Sequence, residues 1–322
     1  MNTYGDRFRV TTYGESHGLA VGGIIDGCPP GMKLDTAAIG RELERRRHGA
    51  ARQEEDRVEW LSGVKMDGEQ LITLGTPIAF TIRNKNTHSE DYDVLADCYR
   101  PGHADYTYQQ KYGIRDHRGG GRSSARETVA RVVAGAIAKQ VISPIDIKTC
   151  AEQPSSLPEK DSLGGIVRCI VKNVPTGIGD PIFRKLNAQL AHAMMSIPSA
   201  IGFEMGAGFA AAKMKGSEYI DRWQHTPQSL RDSSPNLGEQ QRMITVTNHC
   251  GGVQGGISNG MPIEFQIAFH PVVSICQPVE CLCNDGTLKE ITIGGRHDRW
   301  HIGRAAVVVE AMTALVFADY LV

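Results

Sequence analysis

Two histidines, an aspartate and several arginines stand beside glycines in this sequence, and each stretch that carries them could handle a proton or an anion. In Gly14-Glu15-Ser16-His17-Gly18 the glycines let the backbone bend close to a ligand. An imidazole placed there can lend or take a proton near neutral pH; the plainer alternative is a loop histidine bonded to backbone. Arg45-Arg46-Arg47, with Arg52 close behind, offers planar forks of N–H donors that suit carboxylates and phosphates. Three arginines in a row cannot share one helix face, so Arg46 and Arg52 are the candidates for a common site. The alternative is a solvated charge run. Arg100-Pro101-Gly102-His103-Ala104-Asp105 makes a Pro-Gly turn that sets Arg100 beside His103, a pairing suited to protonating something anionic. A structural turn with His103 bonded to Asp105 is the other reading.

The most specific stretch is Arg118-Gly119-Gly120-Gly121-Arg122-Ser123-Ser124-Ala125-Arg126-Glu127. A glycine run opens a helix, Ser124 can cap it, and Glu127 completes a capping box. Free N–H groups at such a helix start bind phosphate, and Arg122 and Arg126 add charge that a purely structural cap would not need. Gly294-Gly295-Arg296-His297-Asp298 sets a carboxylate after glycines, where it can act as a base or orient one. The same segment supports a metal reading through His297, Asp298 and His301, with His17 or His103 as a further ligand. Gly206-Ala207-Gly208-Phe209-Ala210-Ala211 matches a dinucleotide fingerprint by chance, because no ordered helix is expected after it.

The elements that must position these groups follow from the rest of the chain. It has 322 residues, 41% apolar and 22% charged, with a formal net charge of -1. That fits a globular core and argues against a general nucleic-acid or membrane-surface binder. A polyanion must then be met by a local cation cluster. No signal peptide is visible, and no apolar run approaches the ~20 residues needed to span a bilayer. The eight cysteines form no C-x-x-C pair, which suggests a reduced, cytoplasmic protein.

A strand is predicted at Val21–Asp26, followed by a helix that Asp35 or Thr36 can cap, with Ile39 and Leu43 on one face and Gly49 beyond its end. Leu71–Arg83 reads as strand broken at Gly75-Thr76-Pro77. Asp91–Gly121 reads as one long loop or several short ones. A strong helix starts near Ser124 and is bounded by Pro144. Ile166–Val174 is a strand, Pro181–Ser196 a helix, 222–241 an exposed polar insertion, and Ala305–Leu321 a final apolar helix. Strands and helices do not alternate cleanly, so α+β is expected over a doubly wound sheet.

Taken together and in order, Phe8 through Gly18, Asp26 through Gly31, Arg100 through Gly113, Arg118 through Thr128, Ala191 through Pro198, Gly251 through Gly260 and Gly295 through Asp298 resemble chorismate synthase. The resemblance implies a β-α-β sandwich, with helices between two antiparallel sheets in a single domain over 1–322, and a homotetramer. It implies the 1,4-anti elimination of phosphate from 5-enolpyruvylshikimate 3-phosphate to give chorismate, requiring reduced FMN, with NADPH as reductant in some members. By position, His17 would protonate the departing phosphate, His103 would protonate or polarise the reduced flavin, and Asp298 would assist removal of the ring proton. Ser16, Arg46, Arg52, Arg100, Ser124 and Arg126 would hold the substrate. Arg122, Ser123, Ser124, Ser199, Gly255, His270, Pro271, Val272, Val273, Ser274 and Arg296 would hold FMN.

The chain departs from the family pattern in several places. The loop after Arg52 and the stretch 150–163 are short, His270 stands where lysine is common, and Arg299-Trp300 replaces the usual Pro-Cys after the aspartate. Two rival expectations follow: a metal-dependent phosphatase, and a flavin- or polyanion-binding relative impaired in turnover.

Overall fold

Two apolar helices fill the middle of the molecule, and both fall where the apolar spacing places them. The computed structural model describes residues 1–49, 55–85, 87–225, 243–294 and 298–322. The first part of the chain forms β1 (Thr3–Tyr4), β2 (Arg9–Tyr13), β3 (Ala20–Asp26), β4 (Lys33–Leu34), α1 (Thr36–Arg47), β5 (Glu59–Ser62), β6 (Val64–Asp67), β7 (Gln70–Thr73) and β8 (Ile78–Arg83). The middle forms β9 (Cys98–Tyr99), α2 (Asp105–Tyr112), α3 (Thr128–Val141), β10 (Asp146–Ala151), β11 (Gly165–Lys172), α4 (Leu186–Met195), β12 (Ala200–Met205), α5 (Gly216–Tyr219) and β13 (Trp223–His225). The last part forms β14 (Met243–Thr245), β15 (Val253–Gln254), β16 (Ile257–Ser258), β17 (Ile263–Phe269), β18 (Pro278–Cys283), β19 (Leu288–Thr292) and α6 (Ile302–Leu321).

One antiparallel sheet runs β1-β2-β3-β8-β5 and the other β10-β11-β17-β12. Between them, α3 packs on β2 and β3, α6 on β10 and β11, and α4 on β12, while α3 and α6 run along each other. This is the expected α+β sandwich with a helical layer. The strands obey period-two burial, as in β17, whose alternate residues Ile263, Phe265, Ile267 and Phe269 are buried. Every residue of α6 from Ala305 to Asp319 is buried, which suits a helix that is apolar on nearly all sides. A smaller sheet, β19-β18-β9, carries a second apolar cluster around Leu95, Cys281 and Ile291.

The approach of α3 to α6 depends on Gly135: a Cβ built there would lie 2.4 Å from Ala311 Cα. Gly135→Val should therefore lower stability by about 1–3 kcal/mol, the usual penalty for overpacking. A thermal melt checks this, and an unchanged melting temperature would mean that the two helices can separate without loss.

Several expectations need correction. The stretch 91–121 is not all loop: it holds a 3₁₀ turn over Ser89–Leu95, then β9 and α2. The aromatic run Tyr106, Tyr108 and Tyr112 concealed a helix with little amphipathic pattern. Pro181–Ser196 is a short 3₁₀ turn followed by α4, because the chain stays extended at Lys185 (ψ 135). Glu127 does not close a capping box. Its carboxylate instead accepts from Thr12 Oγ1 at 2.7 Å and from Arg131 Nε at 3.0 Å. Cys98 and Cys283 form a disulfide, contrary to the expectation of wholly reduced cysteines. They are 185 residues apart in sequence, and only the pairing of β9 with β18 brings them together. Most of the 222–241 insertion lies outside the described residues; its flanks pair as β13 and β14.

Candidate active site

Loops from both halves of the chain open onto one cavity of about 450 Å³, within the usual range for small-molecule sites. The β2–β3 loop contributes His17. The end of α1 contributes Arg46, and the β9–α2 turn Arg100 and His103. The approach to α3 contributes Gly119, Ser123, Ser124 and Arg126. The segment after α4 contributes Ser199, the segment after β17 contributes His270, Val272, Val273 and Ser274, and the approach to α6 contributes Asp298.

Each side chain is held by specific partners. His17 Nδ1 lies 3.1 Å from Ser89 Oγ, and its ring stands edge-on to Tyr92 at 5.2 Å. Asn84 ties the same loop down, its side-chain amide donating to Glu15 O and Gly18 O at 3.0 and 2.9 Å. His103 Nδ1 is 3.0 Å from Asp105 Oδ1. Asp105 also accepts from Arg100 Nε at 2.8 Å and Nη2 at 3.0 Å. Burial alone would raise the Asp105 carboxyl, but its hydrogen bonds to His103 and Arg100 outweigh burial and hold it well below the usual range. Gly119 and Gly120 let the backbone run against both imidazoles. A Cβ at Gly119 would come 2.5 Å from His17 Nε2, and one at Gly120 would come 3.0 Å from His103 Nε2. Both glycines have positive φ, so any other residue would be strained there as well as crowded.

The arginine-rich side is built on α1 and the approach to α3. Buried Arg46 donates to Ala125 O at 2.8 Å and to Thr128 Oγ1 at 3.0 Å. Arg126 donates to Asn84 Oδ1 at 3.0 Å and pairs with Asp56. Burial, then the neighbouring charge of Arg304, push the Arg46 guanidinium down to about 9, with Asp56 acting the other way. A cation depressed in this way is one that a bound anion would relieve.

Of the residues singled out in the sequence, His17, His103, Asp298, Arg46, Arg100, Ser123, Ser124, Arg126, Ser199, His270, Val272, Val273 and Ser274 line the cavity. Ser16 is buried against cavity-lining Gly119, where a built Cβ would lie 3.2 Å from its hydroxyl, and that hydroxyl has no partner among the described residues. Arg122 is turned away: it donates to Thr12 Oγ1 at 2.8 Å and to Gly14 O at 3.3 Å, so the expected ligand contact is replaced by bracing of the His17 loop. Gly255 sits in the β15–β16 hairpin, and neither it nor Pro271 lines the cavity. Arg52 and Arg296 lie outside the described residues.

The structure adds Asp56, Tyr92 and Arg304 to the cavity wall, together with His301, which the sequence offered only as a metal ligand. Arg304 pairs with Asp298. An arginine in the first turn of a largely apolar helix was a readable sign of a carboxylate nearby. Asp56, inside a patternless polar run, gave none.

His301 Nε2 lies 2.7 Å from Ser199 Oγ, and burial pushes its imidazole down to about 4, so it is neutral at ordinary pH. Ser199 itself has a positive φ of 66 and accepts from His270 N at 2.9 Å. The metal reading loses support here, because Asp298 is engaged by Arg304 and His301 by Ser199; His297 lies outside the described residues. Arg299-Trp300, the departure from the family pattern, has a structural place. Arg299 O accepts from Leu163 N at 2.9 Å, Trp300 bridges to Leu163, and the indole packs beside Gly165 and Gly303. The pair anchors the approach to α6 on β11 and leaves Asp298 at the cavity.

Comparison with known proteins gives one consistent result. The family model described as chorismate synthase matches residues 8–155 and 154–322, and its two pieces meet within the stretch 150–163. Chorismate synthase of Christiangramia forsetii is 44% identical over 362 residues, covering 99% of this chain and 97% of that protein. The chorismate synthase of Flavobacterium psychrophilum is 45% identical, covering 99% and 96%. A crystal structure of chorismate synthase superposes with a TM-score of 0.71 at 29% identity, covering 98% of this chain and 92% of that one. The alignments to the two bacterial relatives are longer than the chain's 322 residues, which accords with its shortened loops. With sequence, fold and cavity agreeing over nearly the whole length, the chain belongs to the chorismate synthase family.

Proposed function

We propose that this protein is a chorismate synthase, a carbon–oxygen lyase that eliminates phosphate from 5-enolpyruvylshikimate 3-phosphate to give chorismate on the route to aromatic amino acids. The observation that carries this reading is the convergence of His17, His103 and Asp298, from three distant stretches, on one arginine-rich cavity. The substrate bears two carboxylates and a phosphate. Arg46, Arg100 and Arg126 face them with Ser124, while Ser16 supports the wall behind and Arg52 is a further candidate.

The family works with a flavin, and the cavity suits reduced FMN. Ile197, Pro198, Val272 and Val273 offer apolar surface to a planar ring, and Ser123, Ser199, Ser274 and His270 offer polar partners. When bound, reduced flavin supplies an electron-rich ring that assists C–O cleavage without net redox change. In the elimination the C–O bond to phosphate breaks, a ring hydrogen leaves as a proton, and a new C=C bond forms. His17 Nε2 delivers a proton to the departing phosphate. Asp298 takes up the ring proton, with Arg304 fixing its carboxylate. His103, held at Nδ1 by Asp105, would exchange a proton with the flavin through Nε2. The apolar residues exclude water from the reacting face.

Exposed Ile166, Ile170 and Ile201 on the second sheet support self-association, in keeping with a homotetramer. Among the described residues no helix is long and apolar enough to cross a membrane.

The reading is tested by incubating the purified protein anaerobically with 5-enolpyruvylshikimate 3-phosphate, with and without reduced FMN, and following chorismate and phosphate. Flavin-dependent release of both is the expected result. A parallel arm with oxidised FMN and NADPH asks whether the protein reduces its own flavin. Phosphate released without chorismate, or at an equal rate without flavin, would overturn the reading.

A further inference from the structure

A carboxylate buried in the wall of a cavity that must accept carboxylates and phosphate is, by charge alone, out of place. Asp56 is such a group. Its side chain is 5% exposed; Oδ1 contacts Arg126 Nη1, and Oδ2 lies 3.9 Å from Arg46 Nη1. Both guanidiniums are themselves nearly sealed, at 8% and 4% exposed. Buried cations without a counter-ion are costly, so Asp56 balances them before any ligand arrives. An incoming ligand with one negative group would compete with Asp56 for the same two cations and meet it as a like charge. A ligand with several negative groups would reach Arg46, Arg126 and Arg304 together and outweigh that repulsion.

We propose that Asp56 is a specificity-determining residue: it is the resident counter-ion of Arg46 and Arg126, and it admits ligands that carry several negative charges while disfavouring those that carry one or two. The inference rests on the reading of this cavity as the site of a polyanionic substrate, and it works by raising the cost of the wrong ligand.

The probe is inorganic phosphate, titrated calorimetrically into wild type, Asp56→Asn, Asp56→Ser and Asp56→Glu. Both neutral variants should bind phosphate at least about tenfold more tightly than wild type, while Asp56→Glu should bind it as weakly as wild type. Phosphate should also raise the melting temperature of the neutral variants more than that of wild type. The KM for 5-enolpyruvylshikimate 3-phosphate should move less than the phosphate affinity, which a merely structural role for Asp56 would not produce. Phosphate affinity at or below the wild-type value in the neutral variants would overturn the proposal, as would tight phosphate binding by Asp56→Glu. The two neutral side chains differ in size, so a folding failure in one leaves the other to decide. Phosphate binding needs no turnover, so a wild-type protein that makes no chorismate counts against the proposed function and not against this assignment.

Discussion

Replacing His103 with alanine should lower turnover by about 10²–10⁴-fold, the range for losing a positioned acid–base group, while the fold survives. The fold should survive because the buried partners of His103 keep one another. Asp105 still accepts from Arg100 Nε, Arg100 Nη2 and Arg100 N at 2.8, 3.0 and 3.1 Å, and Arg115 still donates to Leu95 O and Cys98 O at 2.6 and 3.0 Å. What goes is the imidazole itself. With Nδ1 held at Asp105, the nitrogen left to give or take a proton is Nε2, the atom that faces the bare backbone of Gly120. Single-turnover rates with reduced FMN, read beside near-ultraviolet circular dichroism, separate lost chemistry from lost structure. Near-full activity in a well-folded His103→Ala protein would remove His103 from the site.

That geometry also shows what could be read from the sequence and what could not. Local signals were legible. Asp35 or Thr36 was expected to cap α1, and it is the Asp35 carboxylate that accepts from Ala38 N at 2.8 Å. The period of Val129, Val132, Val133, Ala136 and Ile137 located α3, and the apolar run located α6. The groups that reach the cavity stand beside glycines or at helix ends, where type and spacing carry meaning.

The missing information was long-range. Whether Arg122 faces a ligand or braces a loop depends on where Thr12 and Gly14 lie, more than a hundred residues away. Glu127 fits a capping box by spacing, yet a better offer comes from Arg131, one helical turn on, and from Thr12 in β2. The disulfide partner of Cys98 is set by strand pairing across 185 residues. Asp56 becomes meaningful only when α1 and the approach to α3 place two arginines around it.

The same kind of long-range pairing dominates stability at Glu310, which is buried in the middle of α6. Its carboxylate accepts from Arg45 Nη1 and Nη2 of α1, both at 2.8 Å, from Lys139 Nζ of α3 at 2.7 Å and from Thr149 Oγ1 of β10 at 2.7 Å. One side chain thus fastens three neighbouring elements to the central helix. Burial by itself would raise the carboxyl, but the hydrogen bonds and charges of Arg45 and Lys139, with the Thr149 hydroxyl, pull it from the ordinary 4.5 down to about 2. Because the folded value lies below the unfolded one, the charged form stabilises the native state. That stabilisation is fully present above about pH 4.5 and is lost as the pH falls from there towards 2. A shift of this size corresponds to about 3 kcal/mol, and breaking a buried pair by removing one partner costs a similar amount. Glu310→Gln should therefore lower unfolding stability by about 3 kcal/mol at pH 7, because the amide can still accept from Thr149 but no longer balances two cations. Urea denaturation at a series of pH values measures it. The wild-type and variant curves should lie far apart at pH 7 and converge as the medium is acidified below pH 4.5. A gap that stays constant with pH would mean that shape and not charge makes Glu310 matter.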